Sequence, residues 1–258
     1  MKAIIFDSGT LISLSMNGLV DELRDLKKIF KGHFLITKDV EHEVVDKPLT
    51  IKRFELEALR VKQLLDDKIL ETSSVVGVSE DEVISKRIEF ADIANSTFQA
   101  KGEDIHLIDS GEASCLALSK ILTDKKIENV IAVDERTTRL LGENPENLKN
   151  TMGKKFHTNI NSRKENYSFF KGFKFIRSSE VIYVAYKKGL IDIKDGNLVL
   201  DALLYALMFK GCAISPSEIS EIKNLKWFRI SDLQTSEEGA RSSKRGDKRD
   251  KENFLRNF

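Results

Sequence analysis

Cysteine is scarce. The 258-residue chain has two, Cys115 and Cys212, both in apolar stretches of helical pattern. Two isolated cysteines without metal-ligand spacing exclude a disulfide scaffold and a structural zinc site, and they read as buried free thiols of a reducing compartment. Only 3 prolines and 14 glycines interrupt the chain, which excludes collagen-like sequence and long flexible linkers in the body of the protein. No apolar run approaches the roughly 18–20 residues of a membrane span. The opening MKAIIFDSG lacks the apolar core and small-residue cleavage site of a secretion signal. A cytoplasmic protein with no membrane partner is therefore expected. The 4 histidines, His33, His42, His106 and His157, stand singly, so no Ser-His-Asp set is implied.

Hydrophobic residues make up 41% of the chain and charged residues 32%, the composition of a soluble globular protein. At this length roughly 70–75% of the unfolded surface can be buried, enough for a core without metal or disulfide staples. The net charge of +1 conceals a strong asymmetry. Residues 1–146 carry 20 Lys/Arg against 28 Asp/Glu, residues 147–178 carry 8 against 1, and residues 241–258 carry 7 against 3. An acidic body with a basic segment and a basic tail points to a polyanionic partner.

Short apolar runs alternate with helical periodicity. Residues 2–6, 33–36, 69–76, 129–134 and 173–177 read as strands. Residues 10–17, 19–30, 38–45, 51–67, 79–101, 109–123, 135–142, 179–189, 196–211 and 215–224 read as helices. Residues 143–170 are polar, without periodicity, and read as a long excursion. From about residue 233 the chain lacks the apolar content for a core and reads as disordered. Strands alternating with helices specify an α/β fold, three layers with a central, mainly parallel sheet.

In such folds the carboxyl ends of the strands open into a common crevice. Asp7 closes the first strand and Asp134 a later one, each placed either to cap the following helix or to serve a site. Glu43 lies beside inward valines in KDVEHEVV, and Glu112 lies in the first turn of the helix begun by DSGEASC. If Asp7, Glu43, Glu112 and Asp134 converge, their repulsion demands protons or a cation. A site of oxygen ligands alone suits Mg²⁺ or Mn²⁺ rather than zinc. A four-acid site can hold two ions roughly 3.5–4 Å apart, as used for in-line phosphodiester cleavage.

MKAIIFDSGTLISL, TKDVEHEVV, IDSGEASCLALS and NVIAVDERTTRLLG, in that order, resemble the PIN-domain ribonucleases, archaeal or bacterial type with insertions. The later EVIYVAYKKGLIDI and LLYALMFKGCAISPSEI are similar to the family's closing helices. The resemblance implies one PIN-like domain over residues 1–228, with insertions at about 76–105 and 143–170, followed by a basic tail at 233–258. It implies an Mg²⁺- or Mn²⁺-dependent endoribonuclease, a hydrolase of single-stranded RNA acting in processing or decay rather than as a toxin. Asp7, Glu112 and Asp134 would hold metal, Glu43 would be the helix carboxylate, and Thr10, Ser8 and Asp109 would support them. The resemblance also brings a homodimer into view.

The basic excursion carries Lys154, Lys155, Arg163, Lys164 and Lys171 interleaved with aromatic residues, a pattern suited to phosphate contact and base stacking. The alternative is a catalytically silent PIN-like module that binds RNA or protein. FDSGT also loosely resembles the aspartyl-phosphate loop of phosphatases, which wants an acid where Gly9 stands.

Overall fold

The computed structural model describes residues 1–193, 195 and 197–224, so the expected domain end at 228 and the tail at 233–258 lie outside the described residues. The chain opens with β1 (Lys2–Phe6), then α1 (Ser8–Met16), α2 (Val20–Ile29) and β2 (His33–Ile36). A helical stretch follows in three pieces: α3 (Lys38–Glu41), a π turn (His42–Asp46) and α4 (Lys47–Leu49). Next come α5 (Glu55–Asp66), β3 (Glu71–Thr72), α6 (Glu80–Asn95), β4 (Phe98–Ala100) and β5 (Glu103–Asp104). The second half holds α7 (Ser110–Asp124), β6 (Glu128–Ala132), α8 (Arg136–Glu143), α9 (Pro145–Phe156), β7 (Ile160–Ser162) and β8 (Phe175–Ile176). Helices α10 (Ser178–Lys187), α11 (Asn197–Phe209) and α12 (Pro216–Lys223) end the described chain.

Five strands form one parallel sheet in the order β3-β2-β1-β6-β8, with helices on both faces. The apolar strand sequences explain the layering. In β1, Ala3, Ile4, Ile5 and Phe6 are all fully buried, which requires cover on both faces. Helix α7 lies on β1 and β6 and carries α6, while α10 packs against α1, α2 and α11. Right-handed crossovers put these two groups on opposite faces.

The two expected insertions fold as one unit. Strand β4 from the first pairs antiparallel with its neighbour β5 and with β7 from the second, in a separate three-stranded sheet. The stretch 143–170, expected to be an unstructured excursion, instead contains α9, β7 and a 3₁₀ segment, Lys164–Phe170. Asn144 caps α9 through its side chain, with Pro145 at the first position, a strong helix start that outweighs the weak apolar pattern. Most of its aromatic residues turn inward. The ring centroids of Phe169, Phe170 and Phe173 lie 4.5, 6.0 and 5.7 Å from that of Phe90 on α6. Phe90, Phe98 and Phe170 belong to the same continuous core as the central sheet.

Among the described residues no helix is long and apolar enough to cross a membrane. Replacing Phe90 by Ala should destabilise the whole domain by about 3–5 kcal/mol, read from a denaturant midpoint. A loss under about 1 kcal/mol would show that the two inserted segments do not share the core as described.

Candidate functional site

Asp7 leaves the end of the central strand and caps α1, its Oδ2 accepting the Gly9 N–H at 3.1 Å. The residue is 2% exposed, and its Oδ1 is buried with no hydrogen-bond partner. Burial, and then the nearby carboxylates of Glu112 and Glu43, push the Asp7 carboxyl up to about 8, against the pull of the amides of Gly9 and Ser8. An orphaned carboxylate oxygen in a negatively charged corner is costly unless a proton or a cation joins it.

Glu112 sits in the first turn of α7, where its Oε2 accepts the Asp109 N–H at 2.7 Å. It is pushed up to about 7, first by burial and then, against the Asp109 amide, by the charges of Glu135 and Asp109. The Thr138 hydroxyl, buried, pulls the other way. Glu43 lies in the π turn between α3 and α4. Such a bulge inserts one residue and redirects the side chains beyond it, and it recurs at functional sites. Here it lays the Glu43 carboxylate against the backbone of α7. A Cβ on Gly111 would stand 2.6 Å from Glu43 Oε2, so glycine at the start of α7 makes room for the acid. The same three carboxylates, Asp7, Glu112 and Glu43, act with burial to push the Cys115 thiol well above its usual range.

Asp134, expected to complete the site, serves a different purpose. Its Oδ1 accepts the Ser178 N–H at 2.7 Å and its Oδ2 the Ser178 Oγ–H at 2.7 Å, holding the first turn of α10 to the end of β6. Strand register gives the reason. Ile5 lies level with Ile131 and Phe6 with Ala132, and the Asp7 N–H donates to the Ala132 carbonyl at 2.9 Å. Continuing that register sets Asp7 beside Val133. Side chains alternate along extended chain, so Asp134 projects to the opposite side and Glu135 returns to the side of Asp7. Glu135 is the acid whose charge reaches Glu112, while its carboxylate caps α8 through the Thr138 N–H at 3.0 Å.

Thr10 is fully buried and its Oγ1 has no hydrogen-bond partner, so the hydroxyl support expected for Asp7 comes instead from backbone amides. Ser8 contributes through its amide. Asp109 is exposed, and His106 Nε2 lies 2.8 Å from its Oδ1.

The basic residues divide in two. Arg163 bonds the Ser96 carbonyl and pairs with Asp104 at 3.0 Å, and Lys164 pairs with Glu146 at 3.1 Å. Arg163 is thus a structural tie of the small sheet. Lys154, Lys155 and Lys171 are exposed, with Lys155 5.7 Å from the ring centroid of the exposed Phe156.

No group of three or more His, Cys, Asp or Glu close enough to hold one ion exists among the described residues. Mg²⁺ needs no such cage, because it keeps several waters and commonly takes one or two carboxylates plus phosphate oxygens. Asp7, with its orphaned oxygen, and Glu112 fit that requirement. Compared with known protein families, curated proteins and solved structures, the chain matches none.

The raised carboxyls give a signed pH dependence when divalent ions are chelated. Native Asp7 keeps its proton from the ordinary 3.8 up to about 8, and Glu112 keeps its own from 4.5 up to about 7, whereas the unfolded chain has lost both. The unfolded state binds fewer protons across that window, so stability falls as pH rises, by up to about 1.4 kcal/mol per pH unit per carboxyl. Thermal melts at pH 5 and pH 8 should show the loss, and Asp7→Asn should shrink it. An equal slope in that variant would remove Asp7 as its source.

Proposed function

We propose that this protein is a divalent-metal-dependent endoribonuclease of the PIN type, hydrolysing phosphodiester bonds of single-stranded RNA in the cytoplasm. The observation that carries the reading is the buried, unpartnered Oδ1 of Asp7, pressed by the carboxylates of Glu112 and Glu43 at the carboxyl edge of a parallel sheet. Asp7 and Glu112 would hold Mg²⁺ or Mn²⁺. The bound ion would supply charge neutralisation at the scissile phosphate and a water of lowered pKa.

The protein's own residues set the rest. The Gly9 amide fixes Asp7. The Asp109 amide fixes Glu112. Gly111 lets Glu43 approach from the π turn. Glu135 closes the acidic side next to Glu112. An acidic centre repels RNA, so an outer basic rim is needed for binding. Lys154, Lys155 and Lys171 are the exposed members of the basic segment available for it. A homodimer stays part of the proposal by analogy with PIN proteins alone.

The second reading, a catalytically silent PIN-like RNA- or protein-binding module, is favoured by the absence of a three-residue metal cage among the described residues. One assay separates the two. The purified chain with Mn²⁺ should cleave single-stranded RNA, and Asp7→Asn should reduce cleavage to background. Glu135→Gln should cost about 10–100-fold, the usual effect of losing an outer carboxylate at a metal site. Asp134→Asn should weaken folding, by about 1–3 kcal/mol for a broken buried hydrogen bond, yet keep activity per folded molecule. Equal cleavage by the wild type and Asp7→Asn would sink the nuclease reading. A larger activity loss in Asp134→Asn than in Glu135→Gln would reverse the assignment of those two acids.

A further inference from the structure

We propose that the outward face of α11 is a homodimer interface, on which a second copy of the chain packs its own α11 antiparallel about a two-fold axis. The inference stands on that helix alone, independently of the nuclease reading, and gives the homodimer a surface.

Helix α11, NLVLDALLYALMF, has two polar residues, Asn197 and Asp201. A helix that is apolar all round is normally buried all round. Here one side is. Val199, Leu200, Leu203, Leu204 and Leu207 are buried, with α10 and α12 packed against the helix and Lys223 paired with Asp201. The other side stays open. Leu198 is 68% exposed and Phe209 77%, more than any other large apolar residue described. Ala202 is exposed too, and Tyr205 and Ala206 are half-buried. At 3.6 residues per turn these side chains share roughly 100° of arc, and the stripe from Leu198 to Phe209 runs roughly 16 Å. The Tyr205 and Phe209 rings lie 6.4 Å apart, tilted by 32°. No charged residue interrupts the stripe.

The pattern of the stripe selects a second copy as its occupant. A two-fold axis level with residues 203 and 204 sets Leu198 against Phe209 of the second copy, and the reverse. It also sets the large Tyr205 over the small Ala202 of the second copy, twice. Bulky residues at both ends and alanines between them thus make the face self-complementary, as an isologous contact requires, and the alanines let two helices approach within the usual distance of about 8–10 Å. Charge agrees with that orientation. Asp195 is exposed just before α11 and Lys210 just after it, and neither has an ionic partner among the described residues. Antiparallel packing brings each to within about 3 Å, along the axis, of the opposite charge on the second copy. Parallel packing would set like against like. One helix face is a small interface, under the roughly 1,200 Å² of standard complexes, so dissociation in the micromolar range is expected.

Sedimentation of the full chain from about 1 to 200 µM should show a monomer–dimer equilibrium. Phe209→Glu should weaken it by about 30-fold or more. Lys210→Asp should weaken it by about 10-fold, and adding Asp195→Lys should recover the loss. These positions are exposed, so the variants should fold as the wild type does. Ala202→Cys should form a disulfide-linked dimer on mild oxidation, because Cys115 and Cys212 are buried. A monomer throughout that range would overturn the proposal. So would equal dimerisation of the wild type and Phe209→Glu, which would move the contact to another surface. A dimer that Ala202→Cys fails to cross-link, or that the charge exchange fails to restore, would reject the antiparallel arrangement. Binding of the wild type to phosphatidylcholine vesicles, lost in Phe209→Glu, would assign the face to a lipid surface and overturn the homodimer.

Discussion

Mutual repulsion among carboxylates around the buried Asp7 is the constraint around which this end of the sheet is organised. Asp7 is carried by the central strand, Glu112 by the first turn of α7 and Glu43 by a π turn. Backbone amides of Gly9 and Asp109 fix Asp7 and Glu112, and the missing side chain of Gly111 leaves room for Glu43. Such fixed donors cost nothing to reorient. They restrain the acids without neutralising them, and Asp7 keeps an oxygen unmatched. That residual demand marks the site chemically, because in the chain alone a proton, held up to about pH 8, answers it.

A second buried charged group does the opposite work. Arg177 is 5% exposed and pairs with Glu180 and Glu218, each at 2.7 Å, while the Ala213 carbonyl takes bonds from Arg139 and Arg177. Here every carboxylate has a cation, and the Ser215 hydroxyl and amide together with the Arg177 charge hold the Glu218 carboxyl well below its usual range against partial burial. The network joins α8, the start of α10 and the cap of α12. Asp134 belongs to this structural side through Ser178. The contrast between saturated acids at Arg177 and an unsaturated acid at Asp7 separates architecture from candidate chemistry more clearly than acidity alone.

Much of the candidate site is legible in the residues themselves. Asp7 ends an apolar run and Glu112 opens an amphipathic helix, so their positions at element ends follow from local pattern. Glu43 is legible as an acid on a helix, but the π turn that aims it has no sequence mark. The choice between Asp134 and Glu135 is not legible, because it turns on strand register, and a shift of one residue moves a side chain to the other face. Nor is the fate of the excursion at 143–170. Its aromatic residues suit stacking on bases as well as packing on Phe90, and only the distant α6 decides between them. Arg163 likewise looks like a nucleic-acid contact until the end of α6 supplies the Ser96 carbonyl and β5 supplies Asp104.

By itself the chain determined the alternation of apolar strands with amphipathic helices, hence the parallel α/β layers, and put Asp7 at the end of a strand and Glu112 at the start of a helix. These are local properties, set by side-chain periodicity and helix-capping preference within about ten residues. Tertiary structure alone decided which acids meet, that two distant segments join in one small sheet, and that Asp7 keeps an unmatched oxygen. Each of these depends on register or on contacts between segments far apart in the chain, where the energy lies in burial and charge that no short stretch of sequence contains.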